Sequence, residues 1–118
     1  MRLTLLSHTD QVTRLECDGD VTYSQLASDK DPMEEVIGPT IWKRCVLLSL
    51  EKTTYIDSSG VSWLLHAHRE SAKSGGRLVL HSLSPMVQQV LQMLKLMKLF
   101  TIAADEPEAL QLAQGAKA

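Results

Sequence analysis

Residues 45–61 read CVLLSLEKTTYIDSSGV, and they contain the clearest indication of the fold class. Its first part, Cys45–Leu50, is almost continuously apolar, which is typical of a strand covered on both faces. Its last part, Asp57-Ser58-Ser59-Gly60, leads into a segment with helical periodicity. The apolar positions of this helix share one face: Val61, Leu64, Leu65, His68 and Ala72. A buried strand followed closely by an amphipathic helix predicts an α/β fold.

The sequence after this helix repeats the pattern of strand and helix. Gly75-Gly76 ends the helix, and Arg77–His81 returns as a second apolar strand. A strand, a helix and a strand joined by short links form a parallel crossover, which is right-handed in almost all proteins. Ser84-Pro85 then starts another amphipathic helix, and Glu106-Pro107 starts a final short one.

The sequence before residue 45 begins with a hairpin. Leu3–Leu6 and Val12–Cys17 are separated by a short polar turn, and the second segment alternates apolar and polar residues. Asp18-Gly19-Asp20 predicts a turn after it, because glycine and aspartate accept turn conformations.

A short helix is the other element that the amino-terminal half predicts. Asp31 is a suitable cap, Pro32 fits the first helical position, and Glu34 completes a capping box. Gly38-Pro39 ends this helix after about two turns. Together the elements predict one domain over residues 1–118, with a mixed sheet of four or five strands and helices packed mainly on one face.

Composition excludes several classes of protein. The 118 residues are 44% hydrophobic, and 12 Lys and Arg against 14 Asp and Glu give a formal charge of -2. Because no run collects the basic residues, we expect no binding to nucleic acid. The longest apolar stretch, Val87–Ile102, contains too many Gln and Lys residues to span a membrane. The amino terminus does not resemble a signal peptide, so we expect a cytoplasmic protein.

The cysteines and histidines do not predict a metal or cofactor site. Cys17 and Cys45 lie 28 positions apart without a Cys-x-x-Cys pair, which favours reduced, half-buried thiols. His66 and His68 are two residues apart, so they point away from each other on a helix. Phosphate-binding glycine loops are also absent from the sequence. We therefore expect neither a bound metal nor a cofactor.

Asp57-Ser58-Ser59-Gly60 is the motif most able to carry function, since it follows a buried strand at the sheet edge where open α/β sheets place functional groups. A structural explanation is that Ser58 or Ser59 caps the helix while Asp57 favours its positive end, for roughly 1 kcal/mol. A nucleophilic serine enzyme would need a base such as His66, His68 or His81, and neither serine lies in a Gly-x-Ser-x-Gly frame. We expect no catalytic residue here.

Two apolar features have competing explanations. Trp63 lies on the helical wheel almost opposite Val61 and Leu65, so it is predicted to be exposed and to anchor another protein, or to pack against a neighbouring element. The segment Leu94–Phe100 is apolar nearly all round, which favours burial over binding to a membrane or a partner.

These motifs together resemble the STAS domain of bacterial anti-anti-sigma factors, also called anti-sigma factor antagonists. The resemblance rests on Val46–Leu50, Tyr55–Val61, Gly75–Leu80 and Ser84–Val87, and it covers about residues 45 to 112. It continues through the apolar positions Leu91, Leu94, Leu96, Leu99, Phe100 and Ile102. It implies a single STAS-like α/β domain. Gly19-Asp20-Val21-Thr22 matches the family's first turn only in part, so the partner surface near residues 21–44 is expected to differ.

The resemblance implies a function and site residues. Ser58, the first serine of the motif, would be phosphorylated, while Asp57, Ser59, Gly60 and Trp63 would belong to the partner-binding surface. The unphosphorylated protein would bind an anti-sigma factor that is itself a serine kinase, and a serine phosphatase would reverse the modification. We expect a monomer without enzymatic activity.

The phosphate effect can be argued from charge alone. A phosphoserine adds about -1.5 to -2 charges, which the positive end of a helix tolerates and a flush interface does not. The alternative is a STAS scaffold or sensor in another bacterial signalling assembly, without a phosphate cycle on Ser58. An enzyme that uses Ser58 is the third and most distant interpretation.

Overall fold

The computed structural model describes residues 1–26 and 30–115. Strands and helices alternate after an amino-terminal hairpin, and a short 3-10 helix (Pro39–Lys43) precedes the third strand. In chain order, the elements are β1 (Arg2–His8), β2 (Thr13–Val21), α1 (Tyr23–Leu26), α2 (Pro32–Ile37), β3 (Cys45–Ser49), β4 (Thr53–Ile56), α3 (Ser58–Ser74), β5 (Arg77–His81), α4 (Pro85–Met93), β6 (Thr101–Ala103) and α5 (Glu106–Gly115).

The strands form one mixed sheet with the order β1-β2-β3-β5-β6. β1 pairs antiparallel with β2, and the other pairs are parallel. β4 lies beside the far end of β2 and brings the strand number to six. The predicted mixed α/β fold is confirmed, but the sheet has six strands instead of four or five, because β4 and β6 were not assigned from the sequence. β4 and β6 have four and three residues, which is too short for a periodic signal.

The predicted turn at Asp18-Gly19-Asp20 is wrong, because β2 continues through these residues to Val21. Gly19 adopts a φ of 91° and its amide donates to the carbonyl of Lys52 at 3.0 Å. Here β2 leaves β3, with which residues 13–16 pair, and pairs with β4. The glycine therefore bends a strand between two partners, where a positive φ is accessible at little cost.

Two cores cover the two faces of the sheet. The larger core lies under α2, α3, α4 and the 3-10 helix, and the smaller lies under α5. The smaller core consists of Leu47, Val79, Ala103, Ala109 and Ala113. Arg14 of β2 also forms a bidentate ion pair with Glu106 at the start of α5, at 2.7 and 2.9 Å. Because only α5 covers the smaller core, the prediction that the helices pack mainly on one face of the sheet is confirmed.

The buried face of α3 differs from the predicted one. Ala72 is exposed, and Leu65 and His68 are only half-buried. The buried positions are Gly60, Val61, Trp63, Leu64, Ala67 and Ser71. Small side chains at three of these positions, Gly60, Ala67 and Ser71, allow the helix axis to approach the sheet closely.

The ends of the short α2 helix are mostly as predicted. Asp31 Oδ1 accepts from the amide of Met33 at 2.8 Å, and the helix ends before Gly38. The predicted capping box is wrong, because Glu34 instead accepts a hydrogen bond from the indole Nε1 of Trp42 at 2.8 Å. Glu34 therefore joins α2 to the 3-10 helix.

The segment Leu94–Phe100 is less buried than predicted. Leu94 and Leu99 are 52% and 50% exposed, whereas Phe100 is buried. α4 ends at Met93 and Lys95 adopts a positive φ of 59°, so the chain turns and the helical periodicity does not continue. Within residues 1–26 and 30–115, no helix combines the length and apolarity needed to cross a membrane.

Cys17 and Cys45 are not joined by a disulfide, as predicted, but only one of them is half-buried. Cys17 is fully buried in the larger core, and Cys45 is half-buried. Burial raises the pKa of the Cys17 thiol to about 11, so this side chain packs as a neutral apolar group at neutral pH.

Candidate functional site

The motif after β4 begins α3 through the carboxylate of Asp57. Asp57 Oδ1 accepts from the amide of Gly60 at 3.0 Å, and the Asp57 carbonyl accepts from the amide of Val61 at 3.0 Å. Asp57 is thus the N-cap of a 17-residue helix. The prediction that Ser58 or Ser59 caps the helix is wrong, because the carboxylate of Asp57 already occupies that position.

The same carboxylate also holds a second helix. Asp57 Oδ2 accepts from the amide of Tyr23, the first residue of α1, at 3.0 Å. These hydrogen bonds, from Gly60 first and Tyr23 second, hold the pKa of Asp57 below its ordinary value. The group is therefore a carboxylate at neutral pH, fixed between two helix starts.

Ser58 is the first residue of α3, and its side chain is exposed, whereas Ser59 is half-buried. Neither hydroxyl forms a hydrogen bond to any other residue that the structure describes. The first amides of a helix lack partners within the helix, and they carry its partial positive charge. Ser58 thus presents an available hydroxyl at a position that favours a negative charge.

Gly60 allows the start of α3 to lie directly on the sheet. A Cβ atom at this position would lie against the carbonyl oxygen of Val21 and 2.6 Å from Cγ1 of Ile56. Both neighbours are in the paired ends of β2 and β4. Gly60 is buried, so its contribution to the site is the position of the Asp57–Ser58 backbone rather than direct contact with a partner.

Trp63 is not exposed, which corrects the expectation from the helical wheel. Its side chain is 7% exposed and belongs to the larger core. The buried face runs through residues 60, 63, 64, 67 and 71, a spacing of three and four that includes position 63. Its indole N–H has no hydrogen-bond partner among the described residues.

Two exposed tyrosines near the motif were missed by the sequence analysis. Tyr23, whose amide binds Asp57, is 69% exposed, and Tyr55, two residues before Asp57, is 47% exposed. Tyr23 lies 34 positions from Asp57, so no local pattern connects the two residues. Tyr55 belongs to β4, which is exposed at its two central positions, and a strand of four residues is too short to show this pattern in the sequence.

The histidines occupy sites away from this motif. His81 is 4% exposed, and its Nδ1 lies 2.8 Å from the hydroxyl of Ser82, while burial lowers its pKa. His68 packs against the ring of Phe100, and His66 lies beside Trp42 and 4.0 Å from a carboxylate oxygen of Asp31. Among the described residues, none of the histidine rings is hydrogen-bonded to Ser58. The structure does not bring a serine and histidine pair together at this motif.

In the part of the chain that the structure describes, three or more His, Cys, Asp or Glu side chains nowhere converge as a metal site would require.

The fold, with an exposed serine at the start of α3, can be compared with known families. The sequence profile of the STAS domain matches residues 5–109. The chain belongs to the STAS domain family. The match begins at residue 5, well before residue 45, where the resemblance noted in the sequence begins, and it includes β2 and part of β1.

Solved structures share this STAS fold at low sequence identity. A Thermotoga maritima protein described as a candidate anti-sigma factor antagonist has a TM-score of 0.80 and 18% identity, over 96% of this chain and 93% of the other. The anti-sigma factor antagonist SpoIIAA in its unphosphorylated form has a TM-score of 0.72 and 24% identity, over 97% of each chain. A sulfate transporter family protein from Wolinella succinogenes has a TM-score of 0.69 and 18% identity, over 91% and 88%. At identities this low, the TM-scores establish the shared fold only, and function has to be argued from the residues of this chain.

Proposed function

We propose that this STAS domain is an anti-sigma factor antagonist whose binding is controlled by phosphorylation of Ser58. The observation that supports this proposal is the exposed hydroxyl of Ser58 at the first position of α3, with the capping role taken by Asp57. A serine needed as the cap would be fixed by hydrogen bonds to the backbone. Ser58 is instead accessible to a kinase.

The proposed partner is an anti-sigma factor with serine kinase activity, and a serine phosphatase restores the binding form. The surface that it contacts contains Ser58, Ser59 and Asp57, together with the exposed rings of Tyr23 and Tyr55. Tyrosine is among the residues that contribute most at protein interfaces, because it is large, rigid and partly polar. We propose that the protein works as a cytoplasmic monomer, without enzymatic activity and without nucleic acid or membrane as a partner.

Charge explains how the modification acts. A phosphate on Ser58 adds about -1.5 to -2 charges next to the ionised Asp57. Within the molecule, the free amides of the first helical turn offset part of this charge. Across an interface the phosphate has to be desolvated against the partner, so binding weakens without refolding. A loss of about 4 kcal/mol lowers affinity roughly a thousandfold.

The test uses the serine kinase anti-sigma factors encoded in the same genome as the chain. Each is purified, incubated with the protein and ATP, and the modified residue is located by peptide mapping across residues 55–69. Calorimetry then compares the wild type with Ser58→Ala and Ser58→Asp. Gln111→Glu on α5 is the matched control, because it adds one negative charge at an exposed position on the opposite face of the sheet.

The proposal makes a distinct prediction for each variant. Ser58→Ala binds like the wild type and accepts no phosphate, Ser58→Asp binds at least tenfold more weakly, and Gln111→Glu binds normally. Equal binding by Ser58→Asp and the wild type to a partner that binds the wild type would contradict the phosphate switch. Phosphate transfer to Ser59 instead of Ser58 would contradict the assignment of the residue.

A second candidate function is a STAS scaffold or sensor without a phosphate cycle. It is favoured by the likeness to the sulfate transporter family protein, which shows that the same fold occurs in proteins of a different class. Under this alternative, Ser58 remains unmodified in protein purified from its native cells. Ser58→Asp then leaves partner binding unchanged.

A further inference from the structure

A cleft lies at the end of the sheet opposite Ser58. It is formed where β3 and β5 begin, and its volume is about 390 Å³. We call it the basic cleft, because it is lined by Lys43, Arg44 and Arg77 against a single carboxylate, Asp10. α3 separates the cleft from Ser58, and its 17 residues span roughly 25 Å.

The backbone of Arg44 lies beside that of Arg77. Cys45 and Arg77 are partners in the pairing of β3 with β5, and the amide of Arg77 donates to the carbonyl of Arg44 at 3.0 Å. Gly76 permits this close approach, since a Cβ atom there would lie 2.9 Å from the backbone nitrogen of Arg44. The side chains of Arg44 and Arg77 therefore start from rigid strand ends.

Arg44 is also fixed at its guanidinium. Its Nε donates to the hydroxyl of Thr13 at 2.6 Å, and Nη2 donates to the carbonyl oxygen of Thr9. Within residues 1–26 and 30–115, Lys43 and Arg77 form no ion pair. The cleft thus contains one guanidinium that is already oriented and two cations whose charge is not neutralised by an ion pair.

One carbonyl at the end of α3 is satisfied without these cations. The carbonyl of Ser71 already accepts from the amides of Gly75 and Gly76. The protein as a whole carries a formal charge of -2, so a local excess of two positive charges is opposite to its average. Such an excess attracts anions.

We propose that the basic cleft binds a small anion through a phosphate group. The planar guanidinium of arginine matches the oxygen geometry of phosphate and can donate two hydrogen bonds at once. The cleft volume falls within the range of roughly 300–1,000 Å³ that is typical of small-molecule sites. The ligand is a phosphate ester or a di- or triphosphate of that size, and the site is independent of the proposed phosphorylation of Ser58.

The experiment is a titration of the full chain followed by amide chemical shifts in ¹H–¹⁵N spectra. Inorganic phosphate, pyrophosphate, a sugar phosphate and ATP are compared at constant ionic strength, with sodium chloride as the reference. The compound that binds with the highest affinity identifies the kind of molecule that carries the phosphate group. Arg77→Gln and Lys43→Gln each remove one cation from the cleft, and Lys98→Gln is the matched control because Lys98 is exposed and does not line the cleft.

The expected result is a saturable shift of the amides at residues 43–45 and 75–77. Arg77→Gln and Lys43→Gln each weaken binding roughly tenfold or more, as loss of a charge-assisted hydrogen bond does. Asp10→Asn strengthens it, because it removes the opposing carboxylate, and Lys98→Gln and Ser58→Asp leave it unchanged.

Two results would overturn the inference. One is the absence of saturable shifts at these amides with all four phosphate compounds. The other is equal weakening by Lys98→Gln and Arg77→Gln, which would show that net charge alone governs binding. Since Lys43 is exposed, Lys43→Gln keeps the test decisive if Arg77→Gln does not fold. Neither result bears on partner binding at Ser58.

Discussion

The Oδ2 atom of Asp57 lies 3.0 Å from the backbone nitrogen of Tyr23, 34 residues earlier in the chain. Because Oδ1 of the same carboxylate caps α3, one side chain begins two helices. This arrangement places the backbone of Tyr23, whose ring is exposed, beside the residue that precedes Ser58. A single residue therefore sets the geometry of the proposed binding surface.

The double role of Asp57 predicts a pH dependence of stability. Its pKa is lowered from 3.8 in the folded protein, so its contribution is complete above the unfolded value and is lost as the pH falls through the folded value. Asp57→Asn, which cannot ionise, should show a smaller decrease of the unfolding free energy between about pH 5 and pH 3. Urea unfolding curves of both proteins across that range measure the difference. If the unfolding free energies of the two proteins decreased equally with pH, Asp57 would make no contribution to the pH dependence of stability.

Replacement of Tyr23 tests whether its ring belongs to the binding surface. Tyr23→Ala removes a ring that is 69% exposed, so the melting temperature should change little. Binding of the anti-sigma factor should weaken roughly tenfold or more, as is typical of an aromatic residue at an interface. Tyr23→Phe is the control that keeps the ring and removes the hydroxyl. Unchanged calorimetric affinity of Tyr23→Ala would remove this residue from the proposed surface.

A methyl group at position 60 should destabilise the start of α3. In Gly60→Ala, the new Cβ would overlap the Val21 carbonyl and Ile56, which costs about 1–3 kcal/mol in packed cores. Ser62→Ala, at an exposed position of the same helix, should leave the unfolding free energy unchanged or raise it slightly. Denaturant unfolding compares the two variants. Equal stability would mean that β2, β4 and α3 can separate without cost.

The two tryptophans offer a matched pair of buried rings. Trp42 and Trp63 are both 7% exposed, but the Trp42 indole donates to Glu34, whereas that of Trp63 has no partner among the described residues. Trp42→Phe should therefore cost about 1–2 kcal/mol more unfolding free energy than Trp63→Phe, since it leaves Glu34 without its donor. Chemical unfolding of both variants measures the difference. A larger loss for Trp63→Phe would indicate that its N–H does have a partner.

Local patterns were sufficient for most elements of this fold. The apolar run of Cys45–Leu50, the proline and cap at Asp31-Pro32, and the glycines after Ser74 each contain their own structural reason within a few residues. The site motif was found for the same reason, because a polar turn that leads into an amphipathic helix is a local feature. The expectation that a buried strand precedes this turn is wrong, since the strand before it is the half-exposed β4 and not β3. The prediction of a turn at Asp18-Gly19-Asp20 was wrong because a glycine that bends a strand and a glycine that ends one are flanked by the same types of residue.

The sequence alone determined the α/β class, the ends of the main helices and the location of the Asp57–Gly60 motif, since these follow from propensity, periodicity and caps over short distances. Tertiary structure decided which residue caps α3, which face of that helix is buried, and that Tyr23 joins the motif. These three features depend on how closely α3 can approach the sheet and on which backbone amides the packed structure brings near the carboxylate of Asp57. Contacts between residues far apart in the chain have no periodic signal, so only the packed structure shows them.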